Sequence, residues 1–331
     1  MVAYLVRKLL IYGLTFVVAV SINWAIPRMM PGDPVTQLIN RMGTSHPEAV
    51  APMHAYYESI FGLDLPLWEQ YVNYWIELLQ GNLGVSVWLF PAPVSDVIWD
   101  AVPYTLGLML PAILLSWIVG NKVGAWAARS KWMDNTILPV GYLLTATPYM
   151  WMAILLAWAL GIILGWFPVA GGYDFGQVPT WSLSFVTNLL HHWFLPFLSL
   201  FLVALGGWAI GMRNVIIYEL EADYANYLES LGAPRSLVRR YAYRNALLPQ
   251  ITGLALQIGT ILGGALVTEV VFAYPGLGYL MLQAIENQDL FLLQGTLLFV
   301  VVGVLIANFV IDLLYIVVDP RTRTGLQGAT A

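Results

Sequence analysis

The feature that most constrains this chain is a series of long stretches with no charged residue. Residues 9–27, 101–121, 135–173, 175–212, 245–268 and 290–311 contain no Asp, Glu, Lys or Arg. A helix needs about 20 apolar residues to cross a bilayer, where backbone groups have no water to bond and must pair with one another. Most of these runs hold one such helix each. Only 10% of the chain is charged and 59% is hydrophobic, whereas an ordinary soluble domain is about 25% charged. A soluble core would have nowhere to put this much apolar surface. The 135–173 run is long, but Gly165, Pro168, Gly171 and Gly172 turn its second half into a loop. The pattern predicts an all-α integral membrane protein with six transmembrane helices, at about 9–29, 102–124, 137–163, 193–212, 250–272 and 293–317. The first span follows Arg7-Lys8 as a secretion signal would, but it is long and lacks a small-x-small cleavage site, so it reads as a retained anchor.

Lysine and arginine set the orientation. With the N-terminus inside, the cytoplasmic segments 1–8, 125–136, 213–249 and 318–331 hold Arg7, Lys8, Arg129, Lys131, Arg213, Arg235, Arg239, Arg240, Arg244, Arg321 and Arg323, with Lys122 at a boundary. Of 14 basic residues only Arg28 and Arg41 fall on the other side. That bias places both termini in the cytoplasm. The extracytoplasmic segment 30–100, between the first two helices, is acidic and rich in Pro, Gly and aromatics, and Leu67 to Leu79 reads as a short amphipathic helix at the membrane surface. The whole chain, 1–331, reads as a single transmembrane domain.

The cytoplasmic segment 213–249 is the exception among the oily runs. Leu220, Tyr224, Tyr227, Leu228 and Leu231 fall at helical spacing, giving one apolar stripe. Gly232 then supplies a helix stop, and Pro234 suits a first turn. A second short helix carries Leu237, Tyr241 and Leu248, and Pro249 opens the next span. A basic loop that only fixes topology and binds anionic lipid would explain the arginines. It would not explain the stripe, the Gly-Ala-Pro punctuation or the acidic Glu219, Glu221, Asp223 and Glu229. An exposed apolar stripe in the cytoplasm favours a partner protein.

Asp223-Tyr224, Leu231-Gly232-Ala233 and Arg244-Asn245-Ala246-Leu247-Leu248-Pro249 resemble the coupling-helix motif of ABC importer permease subunits, in the dipeptide/oligopeptide branch. The likeness continues through Met30-Pro31-Gly32-Asp33-Pro34, Phe61-Gly62-Leu63-Asp64-Leu65-Pro66, Gly81-Asn82-Leu83-Gly84 and Phe272-Ala273-Tyr274-Pro275-Gly276-Leu277-Gly278. The ordered set, rather than any one tetrapeptide, is specific. The resemblance implies a bacterial or archaeal cell membrane, a second permease subunit (expected as a heterodimer), two cytoplasmic ATPase subunits and an extracytoplasmic solute-binding protein. Asp223, Tyr224, Tyr227, Leu228, Glu229, Leu231, Gly232, Ala233 and Pro234 would be the ATPase-docking residues. One departure is Glu229, where family members usually carry a basic residue, which suggests a complementary positive site on this chain's ATPase.

The chain itself offers no site for ATP. A phosphate-binding loop needs Gly-Lys followed by Ser or Thr, and Lys8, Lys122 and Lys131 each lack a preceding glycine. No cofactor is expected on this chain; ATP and Mg would sit on the ATPase subunits. No Ser/His/Asp set can be assembled from His46, His54, His191 and His192, and His191-His192 reads as an interfacial pair rather than a metal site. Membrane lipid is a partner throughout, and nothing points to nucleic acid. In the fifth span Gly253, Gln257, Thr260, Gly264 and Thr268 form a small and polar stripe ending at Glu269. The stripe fits either close helix packing or the lining of a translocation path; Glu269, as an intramembrane acid, is a candidate for that path, though one so close to the outer boundary could simply reach water. Asp312, near the inner end of the sixth span, reads as pairing with a cytoplasmic-side arginine.

Substrate is read less sharply. Peptide leads oligosaccharide, and nickel is disfavoured without Cys or an intramembrane His. The rival from another class is a stand-alone secondary carrier or channel, which would have no use for a partner-docking hairpin.

Overall fold

A computed structural model describes residues 2–29, 32–42 and 47–318 of the chain. Its helices are α1 (Val2–Arg28), α2 (Pro34–Arg41), α3 (Pro47–Ile60), α4 (Leu67–Leu79), α5 (Val94–Ala127), α6 (Lys131–Ala146), α7 (Tyr149–Leu156, continued by a π-helical turn over Ala157–Ile163), α8 (Leu183–Leu220), α9 (Asp223–Ser230), α10 (Arg235–Val271), α11 (Leu277–Glu286) and α12 (Leu290–Val318). Among the described residues the only other pairing is an isolated antiparallel bridge between Val85 and Pro93. Among the described residues four helical segments are long and apolar enough to span a membrane: Val6–Arg28, Val94–Ala127, Leu183–Leu220 and Leu290–Val310. A bent pair, Lys131–Ala146 with Tyr149–Ile163, makes a fifth if it is counted as one span.

Three expectations about helix extent are corrected. The helix expected at 137–163 is broken, with its halves at 103°. The cause is Pro148: its ring excludes the α conformation from the preceding residue, and Thr147 is extended at φ −79°, ψ 122°. The helix expected from 193 begins at Leu183, where the Ser182 hydroxyl accepts from the Phe185 N–H at 3.3 Å. Pro249 opens no new helix, because α10 runs through it from Arg235 to Val271 as one element.

The chain divides into two compact units, Met1–Pro103 with Tyr279–Ala331, and Tyr104–Gly278. In the first, α12 lies along α1, with Tyr12 edge-on to Phe309. Helix α4, forming as predicted over Leu67–Leu79 behind Pro66, packs Tyr71 and Trp75 on Trp24 and Phe16 of α1. Its other face leaves Trp68, Val72, Ile76 and Leu79 exposed at helical spacing. Asp33 caps α2, and His54 of α3 reaches back to it at 2.5 Å. Buried Asp289 caps α12 through the Leu292 N–H and also accepts from the Trp88 N–H and the Ser86 hydroxyl, tying the loop after α4 to the start of that helix.

The second unit is built around α8, against which α6, α7 and α10 pack. Its core includes Leu108, Ile113, Leu195, Leu200, Ala265 and Phe272. Close approach of α6 and α8 depends on Gly206, where a Cβ would come within 2.9 Å of the Leu144 Cβ. A small residue there lets the two backbones touch.

Candidate functional site

The 213–249 segment folds as a short helix braced between two long ones. Helix α8 ends at Leu220, and Ala222, extended at ψ 152°, turns the chain into α9. At the far end Gly232 takes φ +80°, a conformation that costs a residue with a Cβ about 1 kcal/mol or more. Its N–H bonds the Glu229 carbonyl at 2.9 Å, and the Ala233 N–H bonds the Leu228 carbonyl at 3.0 Å. This pair of bonds satisfies carbonyls that a helix end otherwise leaves open. Pro234, at φ −65° and ψ 141°, is the cap of α10 rather than its first turn.

The predicted apolar stripe divides into two roles. Leu220, Tyr224 and Leu228 are half-buried, while Tyr227 and Leu231 are 65% and 66% exposed. The Tyr224 hydroxyl donates to Glu219 at 2.8 Å, tying α9 to the last turn of α8. Burial first, and then the Glu219 carboxylate, raise the Tyr224 pKa, so the phenol stays a donor. Ala225 is the residue of α9 buried outright. Below it Met212, Ile216, Ala242 and Ala246 form a small core shared by α8 and α10. Asp223, Glu229 and Pro234 are exposed, and so are Leu237, Tyr241 and Leu248 on α10. Beside the hairpin a cleft of about 820 Å³ is lined by Lys122, Arg129, Ser236, Arg239, Arg240 and Tyr243. The arrangement holds a short helix rigidly and presents two large apolar side chains, with acidic and basic groups at its edges.

On α10 the small and polar stripe is described only in part, since the Thr260 side chain lies outside the described residues, as does that of Asp312 on α12. Gly253 faces the Trp208 ring, where a Cβ would come within 3.3 Å, and Gly264 faces the Tyr149 ring, where a Cβ would come within 2.7 Å. Gln257 is half-buried and Thr268 fully buried. Glu269 does not reach water: it is 0% exposed. Its carboxylate accepts from the Gly278 N–H at 2.6 Å, and its carbonyl accepts from the Tyr274 N–H at 2.8 Å. A Cβ on Gly276 would overlap that carboxylate. The Phe272–Gly278 stretch thus wraps the end of α10 around one buried acid, with Ala273 at φ +42° and the Leu277 N–H donating to the Thr105 hydroxyl at 2.8 Å. Burial, then Tyr104 and Glu269, drive the Tyr274 pKa upward.

A family model described as "Binding-protein-dependent transport system inner membrane component" matches residues 112–324, which include the whole hairpin and the Glu269 loop. The chain belongs to that family. It is an inner-membrane component of an ABC-type importer, as the resemblance in its motifs implied. Similar curated proteins cover almost the full chain. The di/tripeptide transport system permease protein DppB of Pseudomonas aeruginosa is 32% identical over 98% of this chain and 99% of its own length. The dipeptide transport system permease protein DppB of Escherichia coli K12 is 30% identical over 98% and 99%. That of Alkalihalophilus pseudofirmus is 28% identical over 98% and 100%.

Two features of this family member escaped sequence reasoning. One is the partnership of Glu269 with Gly276 and Gly278. A buried acid that needs a glycine cradle leaves its signal in the Gly-x-Gly spacing, which stood in view without its partner. The other is a polar cluster of Asn23, Arg28, Tyr74 and Gln294 in the first unit. The Asn23 amide donates to the Gln294 carbonyl at 2.8 Å, and Arg28 reaches the Gln294 side chain at 3.4 Å. Residues this far apart in sequence carry no local signal of the meeting.

Proposed function

We propose that this chain is one permease subunit of an ATP-driven importer of short peptides, working with a second permease subunit, two cytoplasmic ATPases and an extracytoplasmic binding protein. The observation that carries the reading is the form of α9: a rigidly capped helix, fixed through Tyr224 and Ala225, that offers Tyr227 and Leu231 to a partner. A loop needed only for topology would bury or omit such side chains. On this reading ATP-driven closure of the ATPases pushes α9, and the long helices α8 and α10 carry the movement to the path. ATP and Mg belong to the partner, and this chain contributes no catalytic group.

Six spans complete the reading, made of α1, α5, the broken pair α6–α7, α8, the apolar part of α10 from about 250, and α12, with both termini cytoplasmic. The exposed row Trp68, Val72, Ile76 and Leu79 then lies against the outer leaflet. The peptide substrate follows the names of the relatives in preference to oligosaccharide. Gly253, Gln257, Thr260, Gly264 and Thr268 remain the proposed path, with Glu269 as the anchor at its outer end.

The test is co-purification from mild detergent with Tyr227→Ala and Leu231→Asp, both at exposed positions. The native chain is expected to bring down a cytoplasmic ATPase, and the double variant to insert normally and lose it. Retention of the ATPase by the double variant would move the docking site elsewhere. Absence of any ATPase from the native preparation would favour a carrier that works alone.

A further inference from the structure

The ends of three helices converge on the cleft of about 820 Å³ beside the hairpin. Helix α5 lines it with Val119, Lys122, Val123, Trp126 and Arg129, which fall at i, i+3, i+4, i+7 and i+10 and so share one helical face. Helix α10 lines it with Ser236, Arg239, Arg240 and Tyr243, again at i, i+3, i+4 and i+7. Ile216 and Leu220, one turn apart at the end of α8, complete the lining. Regular spacing on both long walls turns whole side-chain faces toward the space.

The charge of those faces has one sign. Lys122, Arg129, Arg239 and Arg240 bring four positive groups, and no acidic residue lines the cleft. None of the four pairs with a described carboxylate, and the acids of the adjoining helices are engaged elsewhere. Asp134 of α6 holds Arg213 through two bonds, and Glu219 of α8 accepts from Tyr224. Four like charges around one cleft repel one another, and an anion placed among them is attracted by all four.

Position and lining narrow the kind of anion. The cleft lies where three charge-free runs end: 101–121 stops just before Lys122, 175–212 just before the last turns of α8, and 245–268 begins just after Tyr243 and Arg244. It therefore sits at the level where these helices leave the apolar layer. Val119, Val123, Ile216 and Leu220 carry the apolar surface into it, and Trp126 stands 48% exposed at this level, where amphipathic rings are favoured. A free phosphate has no use for an apolar wall. A phospholipid uses both parts, with its phosphate among the cations and its chains along the apolar side.

We propose that this cleft binds one anionic phospholipid, its phosphate held by Lys122, Arg129, Arg239 and Arg240 and its acyl chains following Val119, Val123 and Ile216. The orientation proposed above puts this lipid in the cytoplasmic leaflet; the site itself rests on the cleft. A bound head group would bridge the end of α5 to the start of α10, and so brace the base on which α9 is mounted.

The test is native mass spectrometry of the full chain, delipidated in mild detergent and titrated with phosphatidylglycerol, phosphatidylcholine, glycerol phosphate or inorganic phosphate. Phosphatidylglycerol is expected to bind about tenfold or more tightly than phosphatidylcholine. Lys122→Gln with Arg129→Gln, or Arg239→Gln with Arg240→Gln, all at exposed positions, should weaken it about tenfold or more, at roughly fivefold for each basic side chain removed. Arg235→Gln with Arg244→Gln, exposed on α10 but outside the lining, should change it less than about twofold. Equal binding of the two lipids, or an equal loss in this last pair, would overturn the site. So would displacement of the lipid by either soluble phosphate at similar concentration, or by a cytoplasmic ATPase on assembly, which would give the cleft to a free anion or to the partner protein. The chain has no cysteine, so Ser236→Cys takes a single thiol label and reports the side of the membrane. Selective lipid binding with a label that reacts only from outside intact cells keeps the site and overturns the orientation. Selective binding in a chain that brings down no ATPase keeps the site and removes the importer reading.

Discussion

Gly276→Ala tests whether the buried acid and its loop act as one unit. The added Cβ would overlap the Glu269 carboxylate, and the loop around it is pinned at Tyr274, Leu277 and Gly278. Overpacking a closed site costs about 1–3 kcal/mol. The backbone of Gly276 is not in the left-handed region, so the cost is steric rather than conformational. Glu269→Ala alone removes the acceptor of the Gly278 N–H, and a buried donor left unpaired costs about 1–3 kcal/mol. In the double variant the obstructing carboxylate is gone and the second methyl has room. The two effects should therefore fall short of additive by about 1–3 kcal/mol. Thermal unfolding in a mild detergent, followed by tryptophan fluorescence for the native chain, both singles and the double, reads this coupling. Additivity within about 0.5 kcal/mol would refute the cradle.

Gly232→Ala is expected to destabilise the end of α9 by about 1–2 kcal/mol, since its φ of +80° is open in space but strained for an L side chain; proteolysis of the 228–236 segment should quicken while the rest of the chain is unaffected. Tyr224→Phe removes the tie to Glu219 and should loosen α9 by about 0.5–1.5 kcal/mol, seen as faster amide exchange over 223–230 with membrane insertion intact. The α2–α3 pair should respond to pH. Hydrogen bonding to Asp33 raises His54, with Glu58 assisting. Burial alone would raise Asp33, but bonds from Thr36, His54 and the Val35 N–H hold it below its ordinary value. The histidine contribution is complete below its unfolded pKa, about 6.5, and fades as pH rises through the raised folded value; that of Asp33 is complete above about 3.9 and fades as pH falls. Protection of 33–42 and 47–58 from amide exchange should peak between these limits, and His54→Gln should flatten its alkaline side.

Local requirements were the legible part of this fold. Gly232 had to end a helix because few residues accept its φ, and the charge-free runs had to be helical because lipid offers the backbone no other partner. What misled was hydropathy read without geometry. Pro148 stood inside an apolar run, and a scan for charge passes over a proline that breaks a helix by its ring. The span expected from 193 starts ten residues earlier, because the polar side chains in its first turns find partners: His191 meets the Trp166 carbonyl at 2.8 Å and His192 the Asn188 carbonyl at 3.1 Å. Glu269 looked shallow by position along the helix. It is buried because the Phe272–Gly278 stretch folds back over it, a tertiary event with no periodic signature.

The continuity of α10 has a mechanical consequence for the docking reading. A hairpin helix joined to its span through a break at Pro249 would dissipate a push at the joint. Here α9 sits between the ends of two helices of 38 and 37 residues, and it packs on both. Displacement of α9 by a partner is delivered to α8 and α10 together, and through Gly253 on Trp208 the two are in contact well beyond the hairpin. Helices α6 and α7, which pack on the same α8, meet at the Thr147–Pro148 break. Because α7 touches α10 as well, through Tyr149 and Gly264, a push that moves α8 and α10 together carries α7 with them, and on the docking reading α9 drives this bent pair along with the two long helices.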